Sequence, residues 1–194
     1  EILLAGCRVA DDTPCYVVAE LGSNHGGDVT EARYLIRLAA QAGAHAVKGQ
    51  VRTQAALYTD ARLAAPYAHE HSYGATYGAH RAALELSEAG LVACQHEARA
   101  RGVTWFATAF DEAAVDRLMA LEVLMLKVHS GGLTDGPLLD YVAKQGVPVL
   151  LSTGGGTIED IDRAQTRLQH VPHALLHCTA SYPLAPTEAN IRVI

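Results

Sequence analysis

The sequence has no C-x-x-C pair. Its four cysteines, Cys7, Cys15, Cys94 and Cys178, are scattered along 194 residues. That spacing argues against a structural zinc site, and all four are read as reduced thiols in a cytoplasmic protein. No Lys/Arg cluster stands out, and the net charge is −6 with a pI near 5.9. Neither nucleic acid nor an anionic membrane is therefore an expected partner. A small anionic substrate still fits, because the local field of a cleft need not follow the net charge. Apolar runs long enough to cross a bilayer are missing. So is a G-x-G-x-x-G opening the first helix, which counts against a dinucleotide-binding fold. Position 1 is Glu rather than Met and no signal peptide is visible, so the chain reads as a piece of something longer.

What is present is a globular composition, 49% hydrophobic and 19% charged, enough for one domain with a sizeable core. Strand-like runs at 16–21, 45–50, 103–109, 124–129, 147–152 and 173–179 alternate with helical periodicity. Ala32, Leu35, Ile36 and Ala39 fall on one helical face behind Asp28 and Glu31, a capping-box pair. Asp111 precedes Val115, Leu118 and Met119; Thr157 and Asp160 precede Ile158, Ile161 and Leu168. Gly43, Gly102 and Gly146 stand where helices should stop. Alternation without hairpin signals predicts an α/β fold with a parallel sheet, either doubly wound or most of an eight-stranded barrel. The Tyr/His-rich segment 51–86 is too long for an ordinary βα loop, so it is functional or an insertion.

Polar side chains recur at the C-terminal ends of all six runs. The stretch "AELGSNHGGD" ends the first with Glu20, Asn24 and His25. By alternation Lys48 shares a face with Gln50, and Thr104 and Phe106 with Thr108. Lys127 shares one with His129 ahead of Ser130-Gly131-Gly132. Leu150 shares one with Ser152 ahead of Thr153-Gly154-Gly155-Gly156, and Leu175 with His177 and Thr179. In a (β/α)8 barrel the C-terminal strand ends build the active site. Two lysines, several hydroxyls and two glycine-rich turns suit an anion bearing phosphate and carboxylate. Each residue also has a bland reading: a lone lysine can snorkel, an inward histidine is more often a hydrogen-bonded core residue, and the glycines can be only a turn. Neither His129 nor His177 is assigned as a metal ligand.

The motifs "AELGSNHGGD", "AVKGQ", "YGATYGAHRAALELS", "FATAFD", "KVHSGGLTDGPLLDYVAKQGVPVLLSTGG" and "ALLHCTASYPLAP", in that order, resemble the sialic acid synthase family of phosphoenolpyruvate-dependent nonulosonic acid synthases. The resemblance runs from about residue 16 to residue 190. It implies a TIM (β/α)8 barrel, here truncated to about the first six βα units, with residues 1–194 forming the partial barrel and the family's C-terminal antifreeze-like domain absent from this chain. It also implies a transferase that condenses phosphoenolpyruvate with an N-acyl sugar similar to N-acetylmannosamine, releasing phosphate. By position, Glu20 resembles the family's catalytic glutamate. Lys48, Thr108, Lys127 and Ser130 resemble the phosphoenolpyruvate-binding residues. Gln50 and Tyr182 resemble contacts to sugar and intermediate, with Asn24 and His25 completing the first motif.

The resemblance further implies a divalent metal, Mn2+ or Mg2+, whose histidine ligands lie on strands beyond Ile194, and a homodimer of the full-length protein. Gly132 stands where the family usually carries an acidic residue that helps hold the sugar. Ala180 replaces an Asn or Ser, and Gly49 occupies a position that varies. Because the chain stops before a seventh strand, it is expected to be inactive on its own. Two rival readings are a truncated barrel kept as a binding or scaffold piece, and a Schiff-base aldolase with Lys127 as nucleophile.

Overall fold

The computed structural model describes residues 1–194. The chain divides into two compact units, residues 15–123 and residues 1–14 together with 124–194. No helix is long and apolar enough to cross a membrane, and all four cysteines are free.

The N-terminus departs from the sequence reading. Strands β1 (Ile2–Leu4) and β2 (Cys7–Val9) pair antiparallel through Ala5 and Gly6, with φ of 50° and 82°. Positive φ at both turn residues matches the twist of a two-residue hairpin. The usual sequence signal is Asn-Gly or Asp-Gly, and Ala5 carries none of it, so the hairpin is hidden from sequence.

Residues 15–123 hold β3 (Val18–Gly22), α1 (Val29–Gln41), β4 (Ala46–Val51), α2 (Gln54–Leu57), α3 (Asp60–Ala64), α4 (Tyr77–Leu84), α5 (Glu88–Ala100), β5 (Thr104–Ala109) and α6 (Glu112–Ala120). The three strands are parallel, with β4 between β3 and β5, and they match the expected runs to within two residues at either end. Asp28 caps α1 by accepting from the Thr30 and Glu31 N–H groups, its half of the expected capping box, and Asp111 caps α6 through Ala114 N–H. Ala32 and Ile36 bury the inner face of α1, and Val115 and Leu118 that of α6.

The sequence reading marked the stop of α5 at Gly102 but gave no start or buried face for it. Its buried face is Leu91, Cys94, Glu97 and Ala98, and the carboxylate in that row blunts the apolar stripe. Glu97 accepts from Arg101 Nε at 2.9 Å and pairs with Arg33 (2.9 Å) and Arg37 (3.2 Å) on α1. The Arg101 bond, with help from the other two arginines, holds its carboxyl below the usual range. Burial pushes the nearby Cys94 thiol up to about 11, so it serves as an inert core group.

The Tyr/His-rich segment is an ordered excursion. It carries α2, α3 and α4, and a Pro66–Thr76 bridge closes its loop. Tyr67 meets Tyr77 edge-on and His80 at a tilt, and Arg62 lies 4.1 Å above the Tyr77 ring.

Residues 124–194 hold β6 (Leu126–Val128), α7 (Gly136–Ala143), β7 (Val149–Ser152), α8 (Ile158–Leu168) and β8 (His173–Leu176). The strands are again parallel, with β7 central. A complete Thr157–Asp160 capping box opens α8, although Ile158, expected on its apolar face, is 70% exposed. Strand β8 stops at Leu176, so His177, Cys178 and Thr179 lie beyond it rather than within it. Cys15 is exposed ahead of β3. Gly43, Gly102 and Gly146 adopt φ of 84°, 71° and 71° after α1, α5 and α7, the left-handed stops the sequence indicated.

Candidate functional site

Strand register sets the polar row of residues 15–123. Glu20 stands opposite Lys48, and Gln50 opposite Thr108. Parity turns Lys48 and Gln50 to one face of β4, between Glu20 on one side and Thr108 on the other. Lys48 ion-pairs with Glu20 and donates to Thr108 Oγ1 at 3.0 Å. Gln50 Nε2 donates to Glu20 Oε1 at 3.2 Å. A bulge between Glu20 and Gly22 shifts the register of β3, whose pairing resumes at Gly22–Gly49; bulges near sites often re-aim a side chain in this way. The lysine side chain is 14% exposed and the glutamate 47%, so the carboxylate is the more open partner.

The polar row continues into residues that sequence reasoning did not single out. Gln50 Oε1 accepts from Arg52 Nη2. Arg52 is buried, pairs with Glu85 at 3.2 Å, and lies 4.0 Å over the Phe110 ring. The same Glu85 carboxylate accepts from the Arg52 backbone N–H at 3.3 Å. Arg52 Nε is buried without a partner, a defect that costs about 1–3 kcal/mol or more for a charged group. Burial also lowers the Arg52 pKa, an effect the Glu85 carboxylate opposes. Arg52 sits two residues beyond Gln50, the same parity step that separates Lys48 from Gln50, and that spacing was the available signal.

The loop after β3 is built by its own groups. His25 is buried, and its Nδ1 accepts from Gly27 N–H at 3.0 Å. Burial lowers its pKa, opposed by a backbone hydrogen bond with Gly22, so the ring is held neutral inside the turn. Asn24 is exposed, and its N–H closes a turn on Leu21 O at 3.0 Å. At Gly27, φ is +84° and an added Cβ would lie 2.0 Å from Ala83 O. Only glycine lets α4 approach this loop so closely.

Residues 124–194 carry polar strand-end groups of their own. Lys127, only 5% exposed, donates to Val128 O at 2.6 Å and to Ser152 Oγ. Cys178 Sγ contacts Ser152 Oγ at 3.2 Å. Ser130 opens a short 3-10 turn after β6, and its Oγ accepts from Gly154 N–H at 3.2 Å. Ser130, Gly154, Gly155, Gly156, Asp160 and Ala180 line an open cavity of about 390 Å³. Added Cβ atoms at Gly154 and Gly156 would come within 3.0 Å of Ser130 Oγ and 2.2 Å of Leu133 Cδ2, so these glycines are packing requirements as well as a turn. Tyr182 is 97% exposed. His177 Nε2 lies 2.9 Å from Ala189 O, and His129 N-caps the 3-10 turn through its backbone.

The structure thus joins Glu20, Lys48, Gln50 and Thr108 in one hydrogen-bonded row and links Ser130 to the glycine turn. Asn24 and Tyr182 stand in the open. No group of three or more His, Cys, Asp or Glu side chains is arranged to hold a metal ion. The residues present do not by themselves fit the divalent cation that the resemblance implies.

The NeuB family model matches residues 35–194. Over 194 residues the chain is 36% identical to the N-acetylneuraminate-9-phosphate synthase of Mus musculus, covering 99% of this chain and 54% of that protein. It is 31% identical to the N,N'-diacetyllegionaminic acid synthase of Legionella pneumophila, over 93% of this chain and 53% of that one. The chain therefore spans about half the length of the curated relatives it matches. Among solved structures, the N-acetylneuraminic acid synthetase of Leptospira borgpetersenii superimposes with a TM-score of 0.78 at 29% identity, covering 94% of this chain and 60% of that one. The spore coat polysaccharide biosynthesis protein spsE of Bacillus subtilis gives 0.79 at 29% identity, covering 98% and 51%. This likeness bears out the expected α/β fold, the first six βα units of a TIM-barrel synthase.

Proposed function

The chain belongs to the NeuB family, and we propose that its activity is the condensation of phosphoenolpyruvate with an N-acyl sugar similar to N-acetylmannosamine. The product is a nonulosonic acid of the sialic type, and phosphate is released. The relatives' names support this reading. The observation that carries it is the row in which Glu20, Lys48, Gln50 and Thr108 meet at the C-terminal ends of three neighbouring parallel strands.

In this reading C3 of phosphoenolpyruvate forms a bond to the aldehyde carbon of the sugar. Water adds to C2, and the proton it gives up ends on the new hydroxyl. The bond from C2 to the phosphate ester oxygen then breaks, the departing phosphate takes the remaining proton of the C2 hydroxyl, and C2 becomes a ketone. Lys48 and Lys127, with the hydroxyls of Thr108 and Ser130, neutralise and orient the anion. Glu20 moves the proton between water and sugar oxygen. Gln50 and Tyr182 contact the sugar, while Asn24 and His25 shape the first loop. The proposal includes a divalent cation, Mn2+ or Mg2+, whose protein ligands come from outside these 194 residues; the steps above use only this chain's groups. It also includes a homodimer working in the cytoplasm.

The test is phosphate release by the full-length native protein carrying this sequence, with phosphoenolpyruvate and N-acetylmannosamine or its 6-phosphate, and the product mass. Stoichiometric phosphate and a nine-carbon acid are expected. A borohydride-trapped substrate adduct on Lys127 would instead establish an imine aldolase, and no phosphate release with either sugar would overturn the reading.

A further inference from the structure

Arg52 lies outside the set of residues the proposed chemistry uses, yet the fold tolerates several costs to keep it there. It is buried, one of its N–H groups lacks a partner, and its burial works against its charge. Glu85 grips it twice, through the guanidinium and through the backbone N–H, and its guanidinium carbon lies 4.0 Å from the centre of the Phe110 ring. A side chain needed only to fill space at this point would be apolar. What Arg52 offers that an apolar group would lack is a donor aimed at Gln50 Oε1.

We infer that Arg52 is a positioning residue that fixes the direction of the Gln50 amide. An amide can sit either way round in a polar row. With Oε1 engaged by Arg52, Gln50 must turn Nε2 toward Glu20, where it donates to Oε1 at 3.2 Å. Reversed, the amide would set its oxygen against the glutamate carboxylate, repelling it away from Lys48 and the reacting carbons. The order Glu85–Arg52–Gln50–Glu20–Lys48–Thr108 is then one continuous chain across the strand ends, in which Arg52 and Lys48 each donate to both neighbours and Glu20 accepts from both of its own. A consequence for specificity follows. With one Oε1 lone pair engaged by Arg52 and one N–H by Glu20, Gln50 keeps its second N–H to donate to an oxygen of the acceptor sugar. The fixed amide stands without any assigned activity; its catalytic consequence rests on the synthase reading.

Two measurements test it. The first needs no activity: the side-chain amide resonance of Gln50 should be a single slowly exchanging pair in the native protein. In Arg52→Met it should broaden or exchange at least about tenfold faster, the loss of one charge-assisted hydrogen bond. Glu85→Gln, which keeps the shape and one acceptor, should give a smaller change in the same sense. The second is a double-mutant cycle on turnover. Arg52→Met should lower kcat about tenfold, leave the KM for phosphoenolpyruvate within about twofold, and lower it little further in a Gln50→Met background. Arg52→Lys, with one point donor in place of a fork, should recover only part of the rate. An unchanged Gln50 resonance in Arg52→Met overturns the inference, as do additive losses in the cycle. Absence of synthase activity in the native protein would defeat the functional reading alone, and the amide measurement would still decide the role of Arg52.

Discussion

The strand ends of residues 15–123 and those of residues 124–194 present polar groups in different ways. In the first, side chains hold side chains: Lys48 lies between Glu20 and Thr108, and Gln50 between Glu20 and Arg52. In the second, backbone and close packing do more. Lys127 reaches the Val128 carbonyl, Ser130 takes the Gly154 N–H, and Gly156 lies against Leu133. A network of side chains can be cut at one residue while the backbone stays in place. A site made of turns fails when the turn fails. The two regions should therefore answer mutation differently, in chemistry on one side and in stability on the other.

The largest expected effect is at Glu20. Glu20→Gln keeps shape and hydrogen bonding and removes the proton chemistry, so turnover should drop by roughly 10²–10⁴ while the melting temperature barely moves. Full-rate turnover would remove Glu20 from the mechanism, and a lost melting transition would break the comparison.

Next come the lysines. Lys48→Met and Lys127→Met should each raise the KM for phosphoenolpyruvate about 10- to 100-fold, the loss of one charge-assisted contact. The KM for the sugar should change much less. Equal shifts for both substrates would make the lysines structural. The comparison sharpens if Lys127→Met, at 5% exposure, also lowers stability more than Lys48→Met does.

Gly156→Ala tests the second region directly. The new methyl would start 2.2 Å from Leu133 Cδ2, and Leu133 is itself buried. A loss of about 1–2 kcal/mol in denaturant unfolding is expected, typical of mild overpacking, with the KM for the sugar changed only as far as the turn distorts. Unchanged stability would show that Leu133 turns aside freely.

The smallest effect concerns pH. Burial depresses the His25 pKa below its ordinary 6.5, so the unfolded state takes up a proton before the folded state does. The resulting stability is fully present above 6.5 and is lost as pH falls from there toward the folded value. Thermal melts between pH 8 and pH 5 should show this slope, and His25→Asn should flatten it. A slope unchanged in the variant would assign it to other groups.

Much of this arrangement was legible in the sequence. Alternation within short β-branched runs gave six strands to within about three residues at either end, and parity put Lys48 beside Gln50 before any partner was known. Capping residues Asp28, Asp111 and Thr157 marked helix starts because their side chains satisfy local N–H groups. Long-range pairings were not legible. Glu85 lies 33 residues from Arg52, and nothing local to either announces the other. The apolar face of α5, whose stop Gly102 did mark, was masked because it includes Glu97, whose charge is met by arginines on another helix. The hairpin at Ala5-Gly6 was masked because alanine there adopts a backbone its type seldom visits.

The parallel register of β4 against its neighbours has a consequence for how the chain folds. A slip of one residue would turn Lys48 and Gln50 to the opposite face of the sheet and set Val47, Gly49 and Val51 in their place. Two polar side chains would then be driven among the apolar helix-facing groups, and Glu20 and Thr108 would lose Lys48. Such misregistered pairings are disfavoured by the same contacts that assemble the site. The polar row thereby works as a proofreading device during folding: a chain that reaches its correct alignment has, by that fact, already brought Glu20, Lys48, Gln50 and Thr108 together.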